Sequence, residues 1–100
     1  MRVLVPIGTY PVNRFFRYAY RVAKSRVETI SSAVVRLLQK ERETRGLSMN
    51  AVAIRAGLSH TMISRVEREL RKPTLDTLLR IAEAIDIDLW PLIKKAEAAE

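Results

Sequence analysis

From Ser48 to Glu67 the chain reads SMNAVAIRAGLSHTMISRVE, two short amphipathic segments with a turn between them. Ser48 is a natural N-cap for a helix reaching Ala56, whose positions Val52 and Ala56 lie four apart and face inward. Gly57 and Leu58 form a tight turn, and Ser59 caps a further helix predicted from His60 to about Leu70. The two faces of that helix differ in chemistry. Ile63, Val66 and Leu70 recur at core spacing, whereas His60, Thr61, Ser64, Arg65 and Arg68 gather on the opposite side.

Outward from this stretch the pattern stays helical. Upstream, a helix is predicted from about Ser32 to Arg45, with Val34, Leu37 and Leu38 as its apolar stripe and Gly46 as a left-handed stop. Downstream of Pro73, Thr74 caps a fourth helix with Asp76 near its positive end and Leu75, Leu78, Leu79, Ala82 and Ile85 at core spacing. A fifth begins at about Asp88, has Pro91 in its first turn and carries Trp90, Leu92, Ile93 and Ala96. No run of alternating β-branched residues suggests a strand in this region, so residues 31–100 read as an all-α, five-helix domain. There is no internal repeat.

Composition narrows the function classes. One hundred residues without cysteine allow one domain and exclude a disulfide framework, a zinc finger and thiol catalysis, which fits a reducing cytoplasm. His60 is the single histidine and has no neighbouring ligand set, so neither a metal site nor any other cofactor is expected. No nucleophile, base and orienter set is present, and no glycine-rich phosphate loop, so an enzyme is not expected. The net charge of +7 calls for a polyanionic partner. Its excess is concentrated before Glu28, where Arg2, Arg14, Arg17, Arg21, Lys24 and Arg26 face no acidic residue. No apolar run approaches the roughly 20 residues of a membrane span.

Two short helices joined by a three-to-four-residue turn containing glycine form a helix-turn-helix, whose second helix enters the DNA major groove. Gly46-Leu47-Ser48, Ala53, Gly57-Leu58-Ser59, Ile63-Ser64-Arg65-Val66-Glu67 and Arg71-Lys72-Pro73-Thr74-Leu75 together resemble the Cro/CI-type (XRE) family of phage and bacterial repressors. The resemblance covers about Val34 to Ile93. It implies a lambda-repressor-like domain in which Ala53 sits at the close crossing of the two helices and Gly57 supplies the turn's positive φ. It further implies an ion pair between Arg42 and Glu67, base contacts from His60, Thr61, Ser64 and Arg65, and phosphate contacts from Ser48, Asn50, Arg68, Arg71 and Lys72. Two positions depart from the family pattern. Met49 replaces a customary glutamine that bonds a phosphate, and Glu69 replaces a customary glycine, so helix three is expected to run on.

Residues 1–30 lie outside the resemblance and form a basic, aromatic extension holding Tyr10, Phe15, Phe16, Tyr18 and Tyr20. Phe16, Tyr20, Ala23, Val27 and Ile30 lie at helical spacing and lead into Val34, which predicts an extra helix after Pro11, either separate from helix one or continuous with it. Val3, Leu4, Val5 and Ile7 are candidates for a short strand. The extension is expected to add dimer contact and bring arginines to phosphates; an interfacial helix on a membrane surface has the same basic amphipathic pattern. Trp90, Leu92, Ile93, Phe16 and Tyr20 are the candidate dimer residues.

The expected function is operator binding on a near-palindromic double-stranded site by a homodimeric regulator, most simply a repressor. The residues after helix five are too few for a ligand-binding or peptidase domain, so control is expected from concentration, a partner protein or proteolysis. An antitoxin-like module that docks a toxin on the same scaffold is the alternative of a different class.

Overall fold

No glycine or proline interrupts the chain between Arg14 and Thr44, and a single helix occupies the whole stretch. The computed structural model describes residues 14–99, with side chains from residue 26. Its elements are α1 (Arg14–Thr44), α2 (Met49–Ala56), α3 (His60–Glu67), α4 (Leu75–Ile85) and α5 (Trp90–Ala98), with no strand among the described residues. The all-α, five-helix class read from the sequence is the fold. The extra helix read after Pro11 is continuous with helix one, the two forming one rod of about 46 Å at 1.5 Å per residue. The candidate strand at residues 3–7 lies outside the described residues.

Side-chain caps start the inner helices and left-handed residues stop them. Ser48, Ser59 and Thr74 accept hydrogen bonds from the backbone N–H groups of Ala51, Met62 and Thr77, each satisfying one orphan donor. At the other ends, Gly46 (φ 69°), Gly57 (φ 70°), Glu69 (φ 57°) and Asp86 (φ 68°) all turn left-handed. In every case the next residue's N–H reaches back five positions: Leu47 to Arg42, Leu58 to Ala53, Leu70 to Arg65 and Ile87 to Ala82. One stop geometry, the Schellman motif, therefore ends four consecutive helices.

The core lies where α1, α2, α3 and α4 converge, with Leu89 and α5's Ala96 closing it. Val52 and Ala82 are fully buried, and Ile63, Val66 and Ile85 nearly so. Three leucines expected inside are outside: Leu70, Leu75 and Leu79 are 64%, 61% and 49% exposed. Leu70 leaves the core stripe because α3 stops at Glu67 instead of running on. On α4 the inward stripe passes through Thr77, Ile81, Ala84 and Ile85. Thr77 can face inward because its hydroxyl is hydrogen-bonded to that of Thr74 at 3.1 Å. On α1, Val35 is buried beside Val34 and Leu38, while Leu37 is half-buried.

Candidate nucleic-acid interface

The α2–turn–α3 unit is held from three sides. Ala53, 2% exposed, allows the close crossing of α2 with its neighbours, and Gly57 makes the turn. A β-carbon built on Gly57 would meet only Arg80 Nη1, at 3.7 Å, so it is the positive φ, and not space, that requires glycine here. Arg80 also reaches the carbonyl of Ala56 at 3.5 Å, and Arg55 reaches that of Ala84 at 3.4 Å, so guanidinium groups satisfy late carbonyls of both α2 and α4.

The far end of α3 is tied to α1. Arg42 Nε donates to Glu67 Oε2 at 2.6 Å and Nη2 to Oε1 at 2.9 Å, a two-pronged pair, while Nη1 donates to the Leu47 carbonyl at 2.8 Å. Both side chains are nearly buried. The Glu67 hydrogen bonds raise the Arg42 pKa above its ordinary value, burial opposing them and the charges of Glu67 and Glu43 adding to them.

Two further rungs continue toward the N-terminal end of α1, and the sequence reading missed both. Glu69 accepts a hydrogen bond from Ser32 Oγ and pairs with Arg36 Nη1 at 3.6 Å; Lys72 Nζ lies 3.3 Å from Glu28 Oε2. Their α1 residues, Glu28, Ser32 and Arg36, fall at i, i+4 and i+8, one stripe of a helix. That spacing was visible in the sequence; what hid it was the expectation that helix three continued past Glu69.

These ties dispose of the acidic charge around α3. Between His60 and Lys72 the acidic residues are Glu67 and Glu69, and both are turned to α1. On the opposite face His60, Thr61, Arg65 and Arg68 are exposed, with Ser64 half-buried among them. Arg65, Arg68 and Arg71 form no ion pair among the described residues. Lys72 shares this edge but carries its partner Glu28. Ser48 and Asn50 are exposed at the start of α2; the Ser48 oxygen caps the Ala51 N–H at 3.0 Å, which leaves its hydroxyl proton available to donate outward. Met49 is half-buried and packs on the core, which accounts for an apolar residue there.

The dimer candidates separate. Trp90 is 65% exposed at the start of α5 with Lys94 Nζ 6.0 Å from its ring centre, whereas Leu92 and Ile93 are half-buried against the core. Phe16 and Tyr20 fall on the α1 backbone, but their side chains lie outside the described ones. Among the described residues no helix is long and apolar enough to cross a membrane.

Comparison with known proteins agrees with this geometry. The helix-turn-helix family matches residues 38–89, from the latter part of α1 to the residue before α5. Two uncharacterized HTH-type transcriptional regulators, from two strains of Mycobacterium tuberculosis, are each 40% identical over 63 residues, 63% of this chain. The chain spans 45% of the length of these relatives. No solved structure matches it. With its α2–turn–α3 unit inside the matched residues, the chain belongs to the helix-turn-helix family.

Proposed function

We propose that the protein binds a near-palindromic site on double-stranded DNA as a homodimer, with α3 in the major groove, and acts as a repressor. The observation that carries this reading is the division of charge around α3: its acids are held by α1, and its outward face offers hydroxyl and imidazole groups and arginines that form no ion pair among the described residues. His60, Thr61, Ser64 and Arg65 would meet base edges, Arg65 through the fork its guanidinium offers to guanine O6 and N7. Ser48, Asn50, Arg68, Arg71 and Lys72 would meet phosphates and set the register without reading sequence. In this division of labour residues 31–100 form the reading domain and residues 1–30 an accessory extension. Two copies related by a twofold axis would place their α3 helices about 34 Å apart, one turn of the duplex. A site so occupied is closed to other proteins, the simplest form of repression.

Selection of sites from random duplex DNA at two salt concentrations tests the reading. Enrichment of a near-palindrome with half-sites about one turn apart is the expected result. Binding that is only salt-sensitive, with no enriched motif, overturns it in favour of a protein-docking module on the same scaffold.

A further inference from the structure

The ladder between α1 and the end of α3 has a direction. Going from Glu67 to Glu69 to Lys72, the partners on α1 are Arg42, then Arg36 and Ser32, then Glu28, so the chain leaving α3 runs antiparallel along α1 toward its N-terminal end. Among the described side chains of α1, packing on the core begins at Ile30; residues 26–29 are exposed, Val27 by 62%. The helix nevertheless continues back to Arg14, about 24 Å beyond Ile30 at 1.5 Å per residue. The sequence of that half carries Arg14, Arg17, Arg21, Lys24 and Arg26, with no acidic residue before Glu28.

We propose that the N-terminal half of α1 is a second, sequence-independent contact to the same duplex, holding phosphates that flank the site read by α3. The inference rests on the DNA reading above. Lys72 of the loop after α3 meets α1 at Glu28, and α1 continues from there toward Arg14 through a sequence in which every charged residue is basic. Glu28 marks the junction: it is the first acidic residue of the chain, and it is engaged by Lys72. Contacts of this kind neutralise phosphates and release counterions, so they appear in the salt dependence of binding and not in base preference.

The test uses the full chain on a duplex selected by the wild type, comparing it with the quadruple variant Arg14→Ala, Arg17→Ala, Arg21→Ala and Lys24→Ala. Alanine keeps the helix, and unchanged far-ultraviolet circular dichroism checks this. The slope of log affinity against log salt is expected to become shallower by about 0.9 for each phosphate that the variant no longer neutralises. A shortened hydroxyl-radical footprint and an unchanged order of preference among sites are expected with it. A second variant with Arg14, Arg17 and Arg21 each changed to lysine keeps the charges and is expected to keep the wild-type slope. An unchanged slope and footprint in the alanine variant overturns the proposal. Retention of the slope together with loss of binding to anionic phospholipid vesicles overturns it in favour of a membrane-surface role. If the wild type selects no site, it is the DNA reading that fails; a selected site with an unaltered slope removes the second contact alone.

Discussion

Arg42 and Arg65 carry the same guanidinium group, and their surroundings set them to different tasks. Arg42 is enclosed, paired twice to Glu67 and bonded to the Leu47 carbonyl. Removing only its partner strands a nearly buried charge: Glu67→Ala is expected to cost roughly 3 kcal/mol in urea unfolding, the lower end for a buried pair. The double change Arg42→Met with Glu67→Met is expected to cost much less than either single loss, because no charge is left behind. A double variant as unstable as the single would show that the pair stabilises beyond its own desolvation. Since the pKa of Arg42 is raised, its contribution is complete below the unfolded value and is lost only as pH rises through the folded one, far into alkaline solution. Arg65, by contrast, is exposed and forms no ion pair among the described residues. Arg65→Ala is expected to leave the melting temperature unchanged while losing about 1–3 kcal/mol of discrimination at one base pair of the half-site. Arg71→Ala should instead weaken binding to all sequences alike, and titrations against a panel of single-base variants of the selected site distinguish the two patterns.

At the scale of the elements, the end of α3 is the informative place. A non-glycine residue in the left-handed region costs on the order of 1 kcal/mol, and Glu69 accepts that conformation while its carboxylate bonds Ser32 and Arg36. Those ties are exposed and therefore weak, within about 1 kcal/mol. Glu69→Gly exchanges the ties for relief of the backbone and is expected to leave stability near the wild type. Glu69→Ala loses the ties and keeps the strain, and Glu69→Val adds the restriction of a β-branched side chain. Melting temperatures should therefore fall in the order glycine, alanine, valine; an alanine variant as stable as the glycine one would show that the turn is not left-handed at this position. The same residue marks how far sequence reading reached. The N-caps Ser48, Ser59 and Thr74 and the glycine stops Gly46 and Gly57 are legible because each residue type has a local physical reason to be there. Glu69 and Asp86 make the same stop without glycine's signature, so α3 reads too long and Leu70 is misplaced with it. Leu75 and Leu79 mislead differently: hydropathy favours leucine over Thr77, but the inward place goes to the residue whose hydroxyl is already bonded. The candidate DNA face was legible as residue types. That Glu67 is drawn to Arg42 of α1 was implied by the resemblance; that Glu69 and Lys72 are tied to α1 as well was not legible, since Ser32 is 37 positions from Glu69, and Glu28 is 44 from Lys72.

At the scale of the whole molecule, the exposed apolar residues bear on the proposed dimer. Leu92 and Ile93 pack on the core, so changing them to charged residues would unfold the monomer and say nothing about association. Trp90 is on the same helix but two-thirds exposed, touched by Lys94 and free of the core, which makes it the residue whose loss can be read as loss of an interface. Buried aromatic anchors dominate association energies, and an aromatic residue exposed at the start of α5 is suited to such a contact. Trp90→Glu is therefore expected to halve the mass found by sedimentation equilibrium while leaving the thermal melt of the domain in place. On DNA, the two-half-site operator should lose its advantage over a single half-site, because linking two reading helices makes the second contact effectively intramolecular. Dimer mass and operator affinity both unchanged would move the interface away from α5, and Leu75 and Leu79, four apart and exposed on α4, would be the next residues to change.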